Sequence, residues 1–486
     1  MSLADILSGV ATPPATSEPI TIDLPAVDLA LPLYDFQQDA VEHIRTHKNV
    51  YIAYEMGLGK TPIGIATASM CHAVGIRTLI VVPASLRTTW EREFGKFAPH
   101  LNVAVLKGTT PHAIPDCDVL VIGDSVVKHW ATTLSGHYNA LIVDESHYYK
   151  NKDAKRTKAL IAMSHGVTGP VVLMSGTPVP NGRHQELAPQ FSIIGDSAWD
   201  AIGGKGRFWS YFCPPDPQNS WGGRVNANSE ELNALMNSTF MLRRRRADVI
   251  ELPNKGRTPI SIEAASTHGK DYVRIQNDFI NWLRDEGRQM YGSQRAEALV
   301  QMNLLRKKAG EAKAEGIAQY VKDILNNSTT GVFIVAEHND VMDNLLIKLH
   351  AYNPVAVRGG MGDDNKHEAI DAFCSGASRV LVGQIRAAGV GLTLHGNGLN
   401  HRVVVAQLPW TPAELVQAED RLHRIGQTND VEVEIALCHI DGQWTIDERL
   451  WMMLEKKAFA TGEVIDGQGE LLMADSIAEG VLDTFR

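Results

Sequence analysis

No C-x-x-C pair occurs in the chain. Its five cysteines, Cys71, Cys117, Cys213, Cys374 and Cys438, stand far apart, which argues against a zinc site or a disulfide framework and for buried thiols in a reducing compartment. A long apolar run is missing too, and no lysine or arginine precedes Arg45, so the sequence offers no membrane span, secretory signal or transit peptide. The expected location is therefore intracellular, cytoplasmic or nucleoid (nuclear in a eukaryote), with no secretion and no membrane partner. Tandem repeats are absent, and low complexity is confined to the first residues. Net positive charge is lacking as well: 46 Lys and Arg against 56 Asp and Glu give a formal charge of -10, so any affinity for nucleic acid must come from local patches.

What is present suits a soluble globular chain of two or three domains: 486 residues, 44% hydrophobic and 21% charged. Residues 1–30 are rich in proline and small side chains and read as a flexible lead-in. From about residue 31, short β-rich runs alternate with helical stretches. "TLIVVP", "DVLVIG", "ALIVDE" and "VVLMSG" are strand candidates in the first half, and "VFIVAE", "VLVGQ", "RVVVAQ" and "VEVEIAL" in the second. The pattern predicts an α/β fold with two tandem parallel-sheet lobes. "STFMLRRRRADVIELPNKG" (238–256) marks the boundary, and 270–325 reads mostly helical, with Tyr272, Ile275, Phe279 and Trp282 at core spacing. Two basic clusters stand out, "KNKDAKRTK" (150–158) and "RRRR" (243–246); either is a nucleic-acid contact or a solvated face or linker.

"YEMGLGKT" (54–61) ends like a phosphate-binding loop but has Tyr54 where the P-loop needs its first glycine. Gly57 and Gly59 free the backbone, Lys60 can reach outer phosphates, and Thr61 can offer a hydroxyl to magnesium. A glycine-rich turn with a surface lysine is the alternative. "LIVDESH" (141–147) delivers Asp144 and Glu145 from the end of an apolar strand, the Walker B arrangement in which one carboxylate holds magnesium and the next positions water.

The ordered set Gln37, "EMGLGKT", "VVPASLRTTWEREF", "DESH", "LMSGTPVPN", "RAAGVGLTL" and "QAEDRLHRIGQT" resembles helicase superfamily two in its Snf-type (sucrose-nonfermenting) branch of DNA-translocating ATPases, over nearly all of residues 31–460. "RFWSYFC", "MLRRRRADV", "GEAK" and "GVGLTL" are similar to its annealing-helicase subgroup, which rewinds DNA and remodels stalled forks in DNA repair. That family's first motif lacks the early glycine; Tyr54 stands where it has an acidic residue.

The resemblance implies two RecA-like lobes, 31–242 and 326–460, with ATP in the cleft between them, a linker at 243–257, a mostly helical insertion at 258–325 and a tail at 461–486. It assigns ATP to Gln37, Glu55, Met56, Gly57, Leu58, Gly59, Lys60, Thr61, Asp144, Gly391 and Gln417, with Mg2+ on Thr61 and Asp144. Glu145 orients the water, and Arg424, with Arg421 beside it, meets transition-state charge; the alternative makes both arginines partners of Glu419 and Asp420. His147, Ser175, Gly176 and Thr177 couple hydrolysis to lobe movement. Pro83, Ala84, Ser85, Lys150, Asn151, Lys155 and Thr393 contact DNA phosphates, so binding is expected to be sequence-independent and salt-sensitive. The expected activity is DNA-stimulated ATP hydrolysis by a monomer that translocates on duplex or forked DNA and remodels or anneals it, directed by a partner protein or by the short N-terminal segment. A strand-separating DNA or RNA helicase and an ATP-gated clamp without sustained turnover are the alternatives.

Overall fold

The computed structural model describes residues 22–180, 182–216, 223–249, 253–286, 293–385, 394, 400–423, 427–465, 480–482 and 484–485. Two compact units divide between Val249 and Ile250.

In the first unit, β1 (Asn49–Tyr54), β2 (Thr78–Val82), β3 (Val103–Leu106), β4 (Val119–Gly123), β5 (Ala140–Val143), β6 (Val171–Met174) and β7 (Met241–Arg244) form a seven-stranded sheet in the order β3-β4-β2-β5-β6-β1-β7. Every pairing is parallel. The central strands are buried on both faces, which is why they read as unbroken Val, Ile and Leu runs rather than alternating ones. Three helices matter for the site: α1 (Asp35–Thr46), α2 (Lys60–Ala73) and α3 (Arg87–Phe97), followed by α4 (Lys155–Ser164) in the basic segment.

One element departs from the sequence reading. Arg243 and Arg244, placed there in the linker, are strand residues, in register with Ala53 and Tyr54. The charged run conceals the strand because its guanidinium groups are used locally. Arg243 Nη1 donates to Ala53 O at 2.8 Å, and Arg246 binds Glu55 through its backbone N–H (2.8 Å), Nη2 (3.0 Å) and Nε (3.2 Å).

The second unit is built on β8 (Lys255–Glu263), β9 (Gly331–Ala336), β10 (Val355–Val357), β11 (Val380–Gln384), β12 (His401–Val405), β13 (Val431–Ile440) and β14 (Gln443–Trp444), in the order β10-β11-β9-β12-β13-β14 with β8 also on β13. Only β14 pairs antiparallel. Alternate residues of β9 enter opposite cores: Phe333 and Val335 join one cluster, Val332, Ile334 and Ala336 the other. β8 runs into residues that the sequence reading makes helical. It is largely exposed, carries Pro259 and is held by backbone pairing along Val431–His439, so apolar alternation gives it little signal. Helices α5 (Ser266–Glu286) and α6 (Ser293–Asn327) follow, and α6 buries Lys313 completely. Its ammonium donates to Asp447 Oδ2 at 2.6 Å and to the carbonyl of Ala436.

Among the described residues, no helix is long and apolar enough to cross a membrane, and no group of three or more His, Cys, Asp or Glu could hold a metal ion.

Candidate functional site

Because β1, β2, β5 and β6 are parallel neighbours, their C-terminal ends open on one edge of the first unit's sheet, the place where α/β folds bind ligands. Tyr54 is the last residue of β1 and not part of the turn; its hydroxyl is buried and donates to Phe36 O at 2.7 Å. The turn itself is made by Gly57 and Gly59, at φ +85° and +64°, where a side chain is disfavoured. A Cβ on Gly59 would also lie 2.5 Å from Gln37 Nε2. That amide donates to Leu58 O and Gly59 O, both at 3.1 Å, while Gln37 Oε1 accepts from Tyr34 N at 3.1 Å. Gln37 thus fixes the loop backbone.

Lys60 opens α2, whose first turn has no acidic residue and no capping side chain, so its N–H groups suit a phosphate. Its ammonium donates to Tyr54 O at 3.1 Å, and Thr61 follows, partly exposed. Gly176, beyond β6, lies against this loop: a Cβ there would come 2.7 Å from Met56 Cγ and 3.5 Å from Lys60 Nζ.

Asp144 follows β5 and is buried. Its Oδ2 accepts from Trp90 Nε1 at 3.0 Å and its Oδ1 from Glu145 N at 2.9 Å. Burial and then the Glu145 charge push its carboxyl up to about 6, against the pull of Lys60. Glu145 occupies the left-handed region at φ 47°, uncommon for a non-glycine residue and frequent at functional sites. Glu145 Oε2 and Ser175 Oγ both approach His147 Nδ1, at 3.2 and 2.9 Å, and Ser175 Oγ accepts from Thr177 N at 3.1 Å. One imidazole therefore joins the "DESH" and "SGT" segments.

These groups fit a magnesium nucleotide. Glycine cradles that a Cβ would fill, an uncapped helix start, and the buried Asp144 with the partly exposed Glu145, whose repulsion a divalent cation would relieve, all lie about the same loop. The cation would be held by Asp144 and Thr61, and the phosphates by Lys60 and the 57–60 backbone.

Pro83, Ala84 and Ser85 continue from β2 on the same sheet edge. The buried Asp124, beyond β4, accepts from Ala84 N–H and pairs with Arg156 Nη1 at 2.7 Å; burial holds its carboxyl above the usual range despite that arginine. Arg156 also donates to Tyr148 O at 3.0 Å, so this cation of the basic cluster is committed inside the unit. Lys152 and Lys155 are exposed, Lys150 Nζ lies 3.8 Å from Glu186, and Asn151 Oδ1 accepts from Asp153 N at 2.9 Å.

In the second unit, Gln417 lies in α7 (Pro412–Glu419) and Arg421 just beyond it, buried. Glu419 is taken by Arg257 Nε (2.6 Å) and Lys255 Nζ (2.9 Å) of β8, and Asp420 lies 3.2 Å from Lys255, so cations outside the motif already balance these carboxylates. Gly391, Thr393 and Arg424 fall outside the described residues. Trp90 and the Asp124–Arg156 pair escape sequence reasoning, since no spacing joins an indole to a carboxylate 54 positions on.

The family model for the SNF2-related domain matches residues 36–325, and that for the helicase conserved C-terminal domain residues 313–426. The chain belongs to the SNF2-related family of helicase-like ATPases. This SNF2-related chain is 30% identical over 484 residues to the mouse (Mus musculus) DNA annealing helicase and endonuclease ZRANB3, covering 94% of the chain and 43% of that protein. With the Xenopus laevis SWI/SNF-related matrix-associated actin-dependent regulator of chromatin subfamily A-like protein 1 it shares 29% over 456 residues, 91% of the chain and 45% of the relative. It thus spans less than half the length of these relatives. A solved structure, the Sulfolobus solfataricus SWI2/SNF2 ATPase core in complex with dsDNA, is similar at 20% identity and a TM-score of 0.42, over 95% of this chain and 98% of that one.

Proposed function

We propose that the protein is a DNA-stimulated ATPase that translocates along double-stranded or forked DNA and remodels or anneals it. The observation that carries this reading is His147, which links the carboxylate beside Asp144 to Ser175, whose neighbour Gly176 packs on the Lys60 loop. Such a linkage lets the state of the nucleotide site reach the "SGT" segment, as a motor requires and a passive binding site does not. The names of the two relatives, an annealing helicase and a chromatin regulator, support the DNA substrate.

In this reading, Lys60 and the loop amides bind and orient the phosphates, and Asp144 with Thr61 holds magnesium. Magnesium, when bound, neutralises phosphate charge and makes phosphorus a better electrophile. Glu145 orients the attacking water and takes its proton, with His147 keeping that carboxylate in place. Arg424, with Arg421 near it in sequence, supplies positive charge to the transition state. Pro83, Ala84, Ser85, Lys150, Asn151, Lys155 and Thr393 grip phosphates without reading bases. The protein acts inside the cell as a monomer, and a partner protein directs it to its DNA.

Steady-state ATP hydrolysis measured without polynucleotide and then with duplex, forked and single-stranded DNA and RNA tests the proposal, with Lys60→Ala as control. Stimulation by duplex or forked DNA that vanishes in the control is expected; stimulation by RNA alone, or by nothing, sinks it. Glu145→Gln is expected to bind ATP, as read by a fluorescent analogue, and to lose turnover by about a hundredfold or more.

A further inference from the structure

β2 ends at Val82, and the chain passes through Pro83 into a single 3-10 turn, Ala84–Leu86, that continues directly into α3. Loop and helix are tied together, because Arg87 Nε donates to Ala84 O at 2.9 Å. Trp90 lies one turn further along and is fully buried. Its ring rests on α2, where a Cβ on Gly64 would come 2.6 Å from Cη2, and its N–H is the bond to Asp144 Oδ2. A short helix therefore begins at the residues assigned to the DNA backbone and reaches, within its first turn, the carboxylate assigned to magnesium.

We infer that Trp90 is a positioning residue that carries DNA occupancy of the 83–85 loop to the Asp144 carboxylate, so that hydrolysis depends on DNA. The inference rests on the motor reading above. Indole suits the task. It has one donor and no acceptor, so its polar edge has a single role, and its rigid ring leaves few rotamers to absorb a displacement. Contact with Gly64 limits sliding along α2, so a shift of α3 is delivered at the N–H. Both carboxylate oxygens are held, one by Trp90 and one by the Glu145 amide, so moving one donor turns the carboxylate.

The test uses the full chain, Trp90→Phe and Arg87→Ala, the latter removing the side-chain tie that stiffens the loop against the helix while keeping the indole. Protein labelled with 5-fluorotryptophan gives a fluorine resonance for Trp90, assigned by its loss in Trp90→Phe. Duplex DNA added without nucleotide is expected to move that resonance in the unsubstituted protein and not in Arg87→Ala. The ratio of DNA-stimulated to basal hydrolysis is expected to fall about tenfold in Trp90→Phe, the size of losing a hydrogen bond to a charged group, with DNA affinity held within about twofold. Full stimulation in Trp90→Phe, or a Trp90 resonance that ignores saturating DNA, overturns the inference. If Trp90→Phe does not fold, Arg87→Ala decides: an unchanged stimulation ratio there overturns it as well. An unsubstituted protein that no polynucleotide stimulates overturns the motor reading, and this coupling falls with it.

Discussion

Asp144 sits where its charge costs the fold stability. Its carboxyl titrates near 6 in the folded protein against 3.8 in the unfolded chain, so the folded state holds that proton more tightly. The cost is full above pH 6, shrinks as pH falls toward 4 and is gone below that. Asp144→Asn carries no charge and keeps one oxygen for Trp90, while its NH2 meets the Glu145 N–H and so offsets part of the gain. It is expected to abolish turnover yet raise stability at pH 8, by at most about 3 kcal/mol, with the gain fading below pH 5. Urea unfolding at several pH values checks this, and a stability difference between the two proteins that stays constant from pH 8 to pH 4 would contradict the origin given for the shift. Gly59→Ala meets two obstacles, a left-handed backbone and the Gln37 amide. A stability loss of about 1–2 kcal/mol is expected, with a larger drop in nucleotide affinity by equilibrium titration. At this scale the sequence was legible where chemistry dictates type and spacing together. The places of Gly57, Gly59, Lys60 and Asp144 could be named because the proposed phosphate loop and metal carboxylate need them on a strand–loop–helix and a strand end. Trp90 could not, since any large apolar residue fits its place in the α3 pattern and only the folded sheet brings Asp144 to it.

Among the elements, the basic segment 150–158 divides into two functions. Arg156 neutralises the buried Asp124, while Lys155 is exposed and Lys150, partly exposed, lies 3.8 Å from the buried Glu186. Replacing both lysines with alanine is expected to weaken DNA binding and reduce the slope of log affinity against log salt by up to about two, one per phosphate contact, with stability lowered by less than about 1 kcal/mol through loss of the Lys150–Glu186 contact. Arg156→Ala should instead lower stability by about 1–2 kcal/mol, the value for a partly screened pair that leaves a buried carboxylate behind. Equal effects of the two substitutions on salt slope would remove the distinction. Charge runs were the least legible elements for a related reason. β7 runs from Met241 into the first two arginines of "RRRR", and β8 is "KGRTPISIE"; both are hard to read because an edge strand is held by backbone bonds that leave no mark on side-chain pattern. The interior strands, buried on both faces, could be read directly as apolar runs.

For the whole molecule, each unit carries its own apolar core, and the second is pinned by a buried charge pair. Lys313→Met strands the Asp447 carboxylate in that core. A loss of about 3–5 kcal/mol confined to the second unit is expected, seen as one shifted transition in urea unfolding while nucleotide binding by the first unit persists at low denaturant. Replacing both partners with apolar residues should recover most of it.

The chain leaves the first unit beside the Met56–Lys60 loop, the proposed nucleotide site. Tension applied beyond Val249 loads the Arg246–Glu55 pair first and the β7 ladder on β1 second, and both anchors adjoin Met56 and Gly57. The loop proposed to hold phosphate is thus also the mechanical root of the connection, so the proposed motor, working against a load, would feel that load as a change in how firmly it keeps its nucleotide.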